Sequence, residues 1–264
     1  MQLPIYQVDA FTDTLFKGNY AAVVPLQYWL SAELMQSIAE ENNLSETAFI
    51  VAGDHGRYAI RWFSPLCEVD FCGHATLASA FVLFRQQPEL DTVIFSAPAV
   101  GDLKVSREAD GRIGMRFPRL EPEPVTEVPA ALLAGLSLPP VQVLVNRQAW
   151  FAVYDDERSV LEVQPDPEQL KLLGPRDVVV TAPGDRSDCV SRYFWPSNGG
   201  LEDMVTGSIH AGLAPYWAER LGKTELLAIQ ASSRGGRLDC VVQEDHVQVS
   251  GLAVLYLEGQ IYLP

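Results

Sequence analysis

The sequence predicts an α+β protein of two similar halves, and three observations lead there. Short stretches of β character, apolar or alternating, are interspersed with amphipathic helical ones. Arg61-Trp62-Phe63-Ser64-Pro65 is echoed by Arg192-Tyr193-Phe194-Trp195-Pro196, a spacing of 131 residues in a chain of 264. Each copy then runs through a glycine-containing loop, Cys72-Gly73-His74 or Thr206-Gly207-Ser208, into a long helical stretch. Such a duplication implies two similar domains facing one another across a cleft.

In chain order, IYQVDAFT reads as a strand, followed by a loop at Gly18-Asn19 and the apolar run AAVV. Ser31 is suited to cap a helix with Glu33 in its first turn, since Leu34, Met35, Ile38 and Ala39 recur at helical spacing; Asn42-Asn43 ends it. TAFIV and YAIRWF are β-rich, and ATLASAFVLFRQ has the pattern of a helix packed by one face. Asp110-Gly111 lies between the apolar parts of VGDLKVSREADGRIGMRF, which is hairpin chemistry.

Pro118, Pro122, Pro124, Pro129, Pro139 and Pro140 are expected to interrupt any regular element, so the domain boundary is placed there. Residues 1–118 form the first half, completed by a C-terminal strand at about 252–264. Residues 119–251 form the second, entered through the Pro-rich linker 118–140. Beyond the linker VQVLV and WFAVY are strands, Asp166-Pro167 opens a helix that Gly174 stops, and VVVTA is another strand. LDCVVQ, HVQVSG and AVLYLEGQIYLP alternate and turn like a β-meander that closes one of the sheets.

Acidic residues outnumber basic ones 34 to 19, giving a formal charge of -15 with no run of Lys or Arg. Nucleic acids and anionic membranes are therefore poor partners. A small anionic molecule remains possible, because backbone N–H groups at a helix start hold an anion whatever the net charge. MQLPIYQVDAF has neither the basic start nor the apolar core of a signal peptide, and no apolar run approaches the ~18–20 residues of a membrane span. The four cysteines are too scattered for a disulfide framework. The expectation is a soluble cytoplasmic protein.

Each glycine junction offers free N–H groups and the positive end of a helix, although a single such glycine serves equally to permit a tight loop. His74 is placed either to project into the cleft or to act as a structural cap. Cys67-x4-Cys72-x-His74 has the look of half a zinc site, but no second half-site of Cys or His follows, so no metal is expected. Cys72, beside Gly73 at a helix start, is expected to ionise more readily than a free cysteine. Glu46, at the mouth of TAFIV, is either a solvated carboxylate or a general base whose proton affinity partial burial has raised. Asp203 precedes the matching junction of the other half. Two carboxyl groups and a histidine across one cleft suit proton relocation without a cofactor. G-x-G-x-x-G and phosphate-loop fingerprints are absent, and Ser208 sits in no G-x-S-x-G elbow.

Val8-Asp9-Ala10-Phe11-Thr12, Gly18-Asn19, Asn43-Leu44-Ser45-Glu46-Thr47-Ala48-Phe49, Glu68-Val69-Asp70, Cys72-Gly73-His74-Ala75-Thr76, Thr206-Gly207-Ser208 and Gln230-x-Ser232-x-Arg234-Gly235-Gly236 follow one another along essentially the whole chain. In these motifs the sequence resembles the PhzF-like phenazine-biosynthesis family. The resemblance implies the diaminopimelate-epimerase type of fold: two similar domains, each a mixed sheet wrapped around a central helix, with the active site between them. It implies a cofactor-free homodimer. Glu46 matches the family's acid/base, His74 and Asp203 its polar partners, and Ser208, Gly73 and Gly207 its substrate-holding positions, which Ser45 and Asn19 join. Because the resemblance assigns the second acid to Asp203, Asp177, 131 residues after Glu46, is expected to be a non-catalytic loop residue. The family's characterised chemistry is isomerisation of a dihydro-hydroxyanthranilate, and most members have no established substrate. The sequence departs from the common pattern at Tyr20, Met204, Val205 and Ile209, where bulkier groups bear on the choice of substrate.

The expected function is a cofactor-independent isomerase that relocates a proton on a small carboxylated metabolite. Three alternatives stay open. A cysteine-dependent epimerase is disfavoured because Cys72 aligns with Thr206, leaving one thiol. A ligand-binding protein that has lost catalysis and a metalloprotein are the others.

Overall fold

In the computed structural model, which describes residues 1–263, the chain divides into two units. The first is Met1–Arg116 together with the chain from Ser250 onward; the second is Phe117–Val249.

In the first unit, β1 (Gln2–Ala10) pairs antiparallel with β2 (Asn19–Leu26) on one side and with the C-terminal strand Ala253–Tyr262 on the other. After α1 (Ala32–Asn42), β3 (Glu46–Ala52) returns parallel to β2 and is followed antiparallel by β4 (Arg57–Phe63). The free edge of β4 takes the short β5 (Glu68–Val69) at one end and, after α2 (Gly73–Gln86), the parallel strand β6 (Thr92–Ala97) at the other. β7 (Gly101–Arg107) and β8 (Ile113–Pro118) complete the sheet as the expected hairpin, with Gly111 at φ +89° in its turn. α2 is buried along nearly its whole length, up to Arg85 and Gln86, and touches β1, β2, β3, β7 and the C-terminal strand. Strands so far apart in the sheet reach one helix only because the sheet curls around it. α1 is held by its cap, Ser31 Oγ accepting from Leu34 N–H, and ends at Asn43 in the left-handed region. Its Met35, Ile38 and Ala39 pack with Leu3, Val24, Leu26, Phe49 and Phe63.

The second unit repeats this scheme. β9 (Glu123–Pro124) pairs with β10 (Gln142–Val145), which pairs antiparallel with β11 (Ala149–Val153). β11 runs parallel to β12 (Asp177–Pro183), and β12 antiparallel to β13 (Cys189–Phe194). β13 carries the short β14 (Glu202–Asp203) at one end and the parallel β15 (Glu225–Gln230) at the other, and β15 pairs with β16 (Gly236–Val242). β17 (His246–Gly251) leads the chain back to the first unit. The helix corresponding to α2 is the one at His210–Leu221, all but its last turn buried. Pro215 lies inside it and has no N–H for the Ala211 carbonyl, which accepts from Leu120 N–H at 2.9 Å instead.

Contrary to the expectation from the sequence, the prolines do not keep 118–140 free of regular structure. β9 lies there, and so does α3 (Ala130–Ala134), with Pro129 as its N-cap, where a missing N–H costs nothing. α4 (Glu157–Glu162) is an addition to the sequence reading. The helix opened by Asp166-Pro167 is only α5 (Pro167–Leu170), tightening into a 3-10 turn that stops at Gly174. In that sequence α6 is His210–Leu221. The C-terminal segment is one long strand rather than part of a meander, and closes the first unit's sheet against β1. No helix among the described residues is long and apolar enough to cross a membrane.

The echo in the sequence has a shared physical content. Arg61 on β4 grips Glu68 on β5 through Nε and Nη2, both at 2.6 Å, and Arg192 on β13 grips Glu202 on β14 the same way at 2.8 and 2.9 Å. Each guanidinium also lies over the aromatic ring two residues on, Phe63 or Phe194. In both units this bidentate clamp fixes the short strand that leads toward the glycine loop.

Candidate active site

The residues of the first unit that the sequence singled out meet at one end of the β2–β3 pair. Gly18 has φ +65°, and a Cβ there would run into the Ala10 carbonyl, so glycine alone turns the chain sharply into Asn19, the first residue of β2. Glu46 begins β3, directly after Ser45, whose Oγ donates to Asn19 Oδ1 at 3.1 Å. Gly73 begins α2, and His74 follows in the first turn. The imidazole Nδ1 lies 3.1 Å from Asn19 Nδ2, and Nε2 lies 2.9 Å from Glu46 Oε2. Cys72 Sγ completes the group, 3.5 Å from Nδ1 and 3.8 Å from Nε2. Glu46, Cys72 and His74 are 8%, 7% and 5% exposed.

Burial opposes a charge on His74, but the acidic groups beside it, Cys72 and Glu46, outweigh burial and hold its proton well above the ordinary histidine range. The thiol itself is pushed up to about 11, first by burial and then by Glu46. Cys72 is therefore a thiol at neutral pH, and the Glu46 carboxyl is the partner that faces Nε2 of His74. The expectation that the helix start would make Cys72 ionise readily is thus overturned: desolvation and a neighbouring carboxylate exceed the helix contribution. Asn19 can serve both states of the ring. In the observed arrangement its NH2 faces Nδ1; turned by 180°, its oxygen accepts from a doubly protonated ring while its NH2 donates to Ser45.

The second unit holds a separate polar cluster. Asp203 ends β14, and its Oδ2 accepts from Thr206 Oγ1 at 2.5 Å. Gln230, fully buried at the end of β15, spans this loop: its Oε1 accepts from Thr206 N–H at 2.8 Å and its Nε2 donates to Asp203 O at 2.9 Å. Gly207 and Ser208 form the turn entering α6, and Ser208 Oγ accepts from Gln148 Nε2 at 2.9 Å. Gln148 Nε2 also reaches Tyr193 OH at 3.3 Å, and Tyr193 donates to Asp177 Oδ2 at 2.7 Å.

Asp177 is not the loop residue expected. It is the first residue of β12, as Glu46 is of β3, and carries Asn198 Nδ2 on its other oxygen at 2.8 Å. Burial raises its proton affinity despite these bonds, and burial, then Asp177, hold Tyr193 protonated far above the phenol range. Gln148 is absent from the sequence reading, and Tyr193 and Gln230 enter it only as members of motifs, with no role assigned. The RYF echo and the Gln230 motif touch two of them without revealing their contacts.

The structure also separates the cysteines of the zinc-like spacing. Cys67 is exposed, with its sulfur 3.9 Å from Ser64 Oγ, and takes no part in the Glu46–Cys72–His74 group.

His210, in the first turn of α6, is fully buried and donates Nδ1–H to Thr206 O at 3.0 Å. The corresponding first-turn residue of α2, Thr76, makes the same tie to Cys72 O at 2.6 Å. Burial lowers the His210 pKa to about 4. The unfolded chain takes up this proton near 6.5 and the folded protein does not, so stability is lost as pH falls from about 6.5 toward about 4. The expected loss from this one group is about 2–3 kcal/mol between pH 7 and 4.5. His210→Thr should remove that part of the acid sensitivity in urea unfolding at the two pH values. An unchanged difference would refute the assignment.

The profile of the PhzC-PhzF family, described as phenazine biosynthesis-like protein, matches residues 8–259. An uncharacterized isomerase of Pseudomonas aeruginosa is 50% identical over 263 residues, covering 100% of both chains. The crystal structure of a phenazine biosynthesis protein of the PhzF family from Enterococcus faecalis is 44% identical and superposes with a TM-score of 0.95 over 100% of both chains. A hydroxyproline epimerase from Agrobacterium vitis, 12% identical, superposes with a TM-score of 0.60 over 98% of this chain and 92% of its own, a likeness of fold alone. The α+β architecture, the two similar halves and the full-length match together show that this chain belongs to the phenazine biosynthesis-like PhzF family.

Proposed function

We propose that the protein is an isomerase that relocates a proton on a small carboxylated metabolite, with Glu46 as the acid/base and no cofactor. The observation that carries this reading is the buried contact of 2.9 Å between Glu46 and His74, with the other ring nitrogen held by Asn19. Glu46 takes a proton from a carbon next to an unsaturated, electron-withdrawing group. The C–H electron pair spreads into that group, the proton held on Glu46 exchanges with solvent, and Glu46 delivers a proton to the far end of the unsaturated system. His74 orients the carboxylate and balances its charge between the two transfers. In the first unit Gly73, Ser45 and Asn19, and in the second unit Asp203, Gly207 and Ser208, are assigned polar contacts with the substrate. Gln148 already donates to Ser208 Oγ, which leaves the hydroxyl proton free to point at a substrate oxygen. The names of the relatives, uncharacterized isomerases, support the reaction class and leave the substrate open.

The test is incubation with a cell metabolite extract in D2O, followed by mass spectrometry. A compound that gains deuterium with the wild-type protein and not with Glu46→Gln is the expected result. Equal labelling by both proteins would remove Glu46 from the reaction, and no labelled compound across extracts would favour a binding protein.

A further inference from the structure

We propose that Glu46, Cys72 and His74 also form a binding site for a soft divalent cation such as Zn2+, which silences the site reversibly when it is occupied. The binding rests on the donor set alone. The silencing rests on the proton-transfer role proposed above for Glu46.

One carboxylate oxygen, one thiol sulfur and one imidazole nitrogen lie within 4.8 Å of one another, and this is the one such group found among the described residues. Tetrahedral zinc, with bonds of about 2.0–2.3 Å, sets its donor atoms roughly 3.3–3.6 Å apart. The Glu46–His74 separation is 2.9 Å, and Cys72 Sγ lies 3.5 and 3.8 Å from the two ring nitrogens. Cys72 Sγ lies beside the ring, almost equally far from both nitrogens, and the Glu46 and Cys72 donors are within 4.8 Å of each other, so a turn of the Cys72 side chain, with no change of backbone, brings the sulfur to an ion on Nε2. Sulfur and imidazole select zinc, cadmium or cobalt over magnesium or calcium.

The surroundings suit a ligand histidine. With its amide turned so that the oxygen faces the ring, Asn19 accepts Nδ1–H, which leaves Nε2 for the metal, and such an acceptor on the second ring nitrogen is the usual support for a ligand histidine. The donors sit at the start of β3, at the N-cap of α2 and in its first turn, all fixed by regular structure. On binding, the Cys72 thiol proton and the proton on Nε2 pass to solvent, three protein ligands take the ion, and a water fills the fourth position. No redox change is involved. The Glu46 oxygen that would receive the substrate proton is then bound to metal.

Cobalt is the probe for the metal-free protein. One Co2+ per chain should bind with a thiolate-to-cobalt absorption band, and Zn2+ should displace it. Cys72→Ser should abolish the band, His74→Asn should weaken binding at least tenfold, and Cys67→Ser should leave both unchanged. Should either site variant fail to fold, Zn2+ should slow alkylation of Cys72 in the wild-type protein but not that of exposed Cys67, read by peptide mass spectrometry. A band that persists in Cys72→Ser, no stoichiometric cobalt binding, or no protection of Cys72 would overturn the site. With a labelled substrate in hand, Zn2+ should stop deuterium exchange until a chelator is added. Exchange that continues with zinc on Cys72 would instead overturn the role of Glu46.

Discussion

Glu46→Gln is expected to lower deuterium exchange on the substrate by about 10²–10⁴-fold, the usual contribution of a general acid–base group. The amide has the shape of the carboxylate, and position 46 begins β3, where its backbone pairing with β2 does not depend on charge. Facing an amide, the buried His74 gives up its proton and leaves no unpaired charge, so stability should fall by only about 1–3 kcal/mol. Substrate binding, measured by titration, should be nearly unchanged, so the loss falls in kcat rather than KM. Cys72→Ser is the internal comparison. Its thiol is held protonated, with a pKa of about 11, and should retain at least about a tenth of kcat/KM, no more than ~1.4 kcal/mol of transition-state stabilisation. An inactive Cys72→Ser beside an active Glu46→Gln would reverse the roles and point to a one-thiol racemase.

What could be read from the sequence was local chemistry and what the duplication carries. Ser31 caps α1, Asp110-Gly111 turns a hairpin, and Asp166-Pro167 opens a helix, because each acts on backbone groups within a few residues. α3 and α4 were out of reach: at five and six residues they are too short to show a helical period, and proline dominates the composition around α3. Glu46 and His74 drew notice through family motifs, but their contact spans 28 positions and depends on how β3 and α2 converge. Asn19 to His74 spans 55 positions. Gln148 and Gln230 are single polar residues at the ends of apolar stretches, and their importance comes from partners 60 and 24 residues away. The thiol of Cys72 was misjudged because the helix start can be read from sequence and burial beside a carboxylate cannot.

Arg192→Met should destabilise the protein by about 3 kcal/mol, whereas the equivalent Arg61→Met should cost about 1 kcal/mol or less. The two clamps have the same bidentate geometry but different surroundings. The Arg61 and Glu68 side chains are 23% and 42% exposed, so water takes over much of what is lost. Arg192 and Glu202 are 13% and 22% exposed. Arg192 has a second task, since its Nη1 donates to Val160 O at 3.2 Å and to Val163 O at 2.8 Å, carbonyls at the C-terminal end of α4. Methionine fills the space but leaves a poorly solvated carboxylate and two carbonyls without their donor. Arg192→Lys should fall between, because an ammonium keeps the charge but cannot reach the carboxylate in bidentate fashion and both carbonyls at once. Urea unfolding of the three variants at low and high salt measures this directly, with the Arg61 loss shrinking in salt and the Arg192 loss persisting. Equal losses at the two arginines would show that burial does not distinguish the clamps. The larger loss also bears on function, because Glu202 is the neighbour of Asp203 on β14. Freeing it should loosen the strand from which Asp203 holds Thr206, so Arg192→Met should impair substrate binding more than Arg61→Met does.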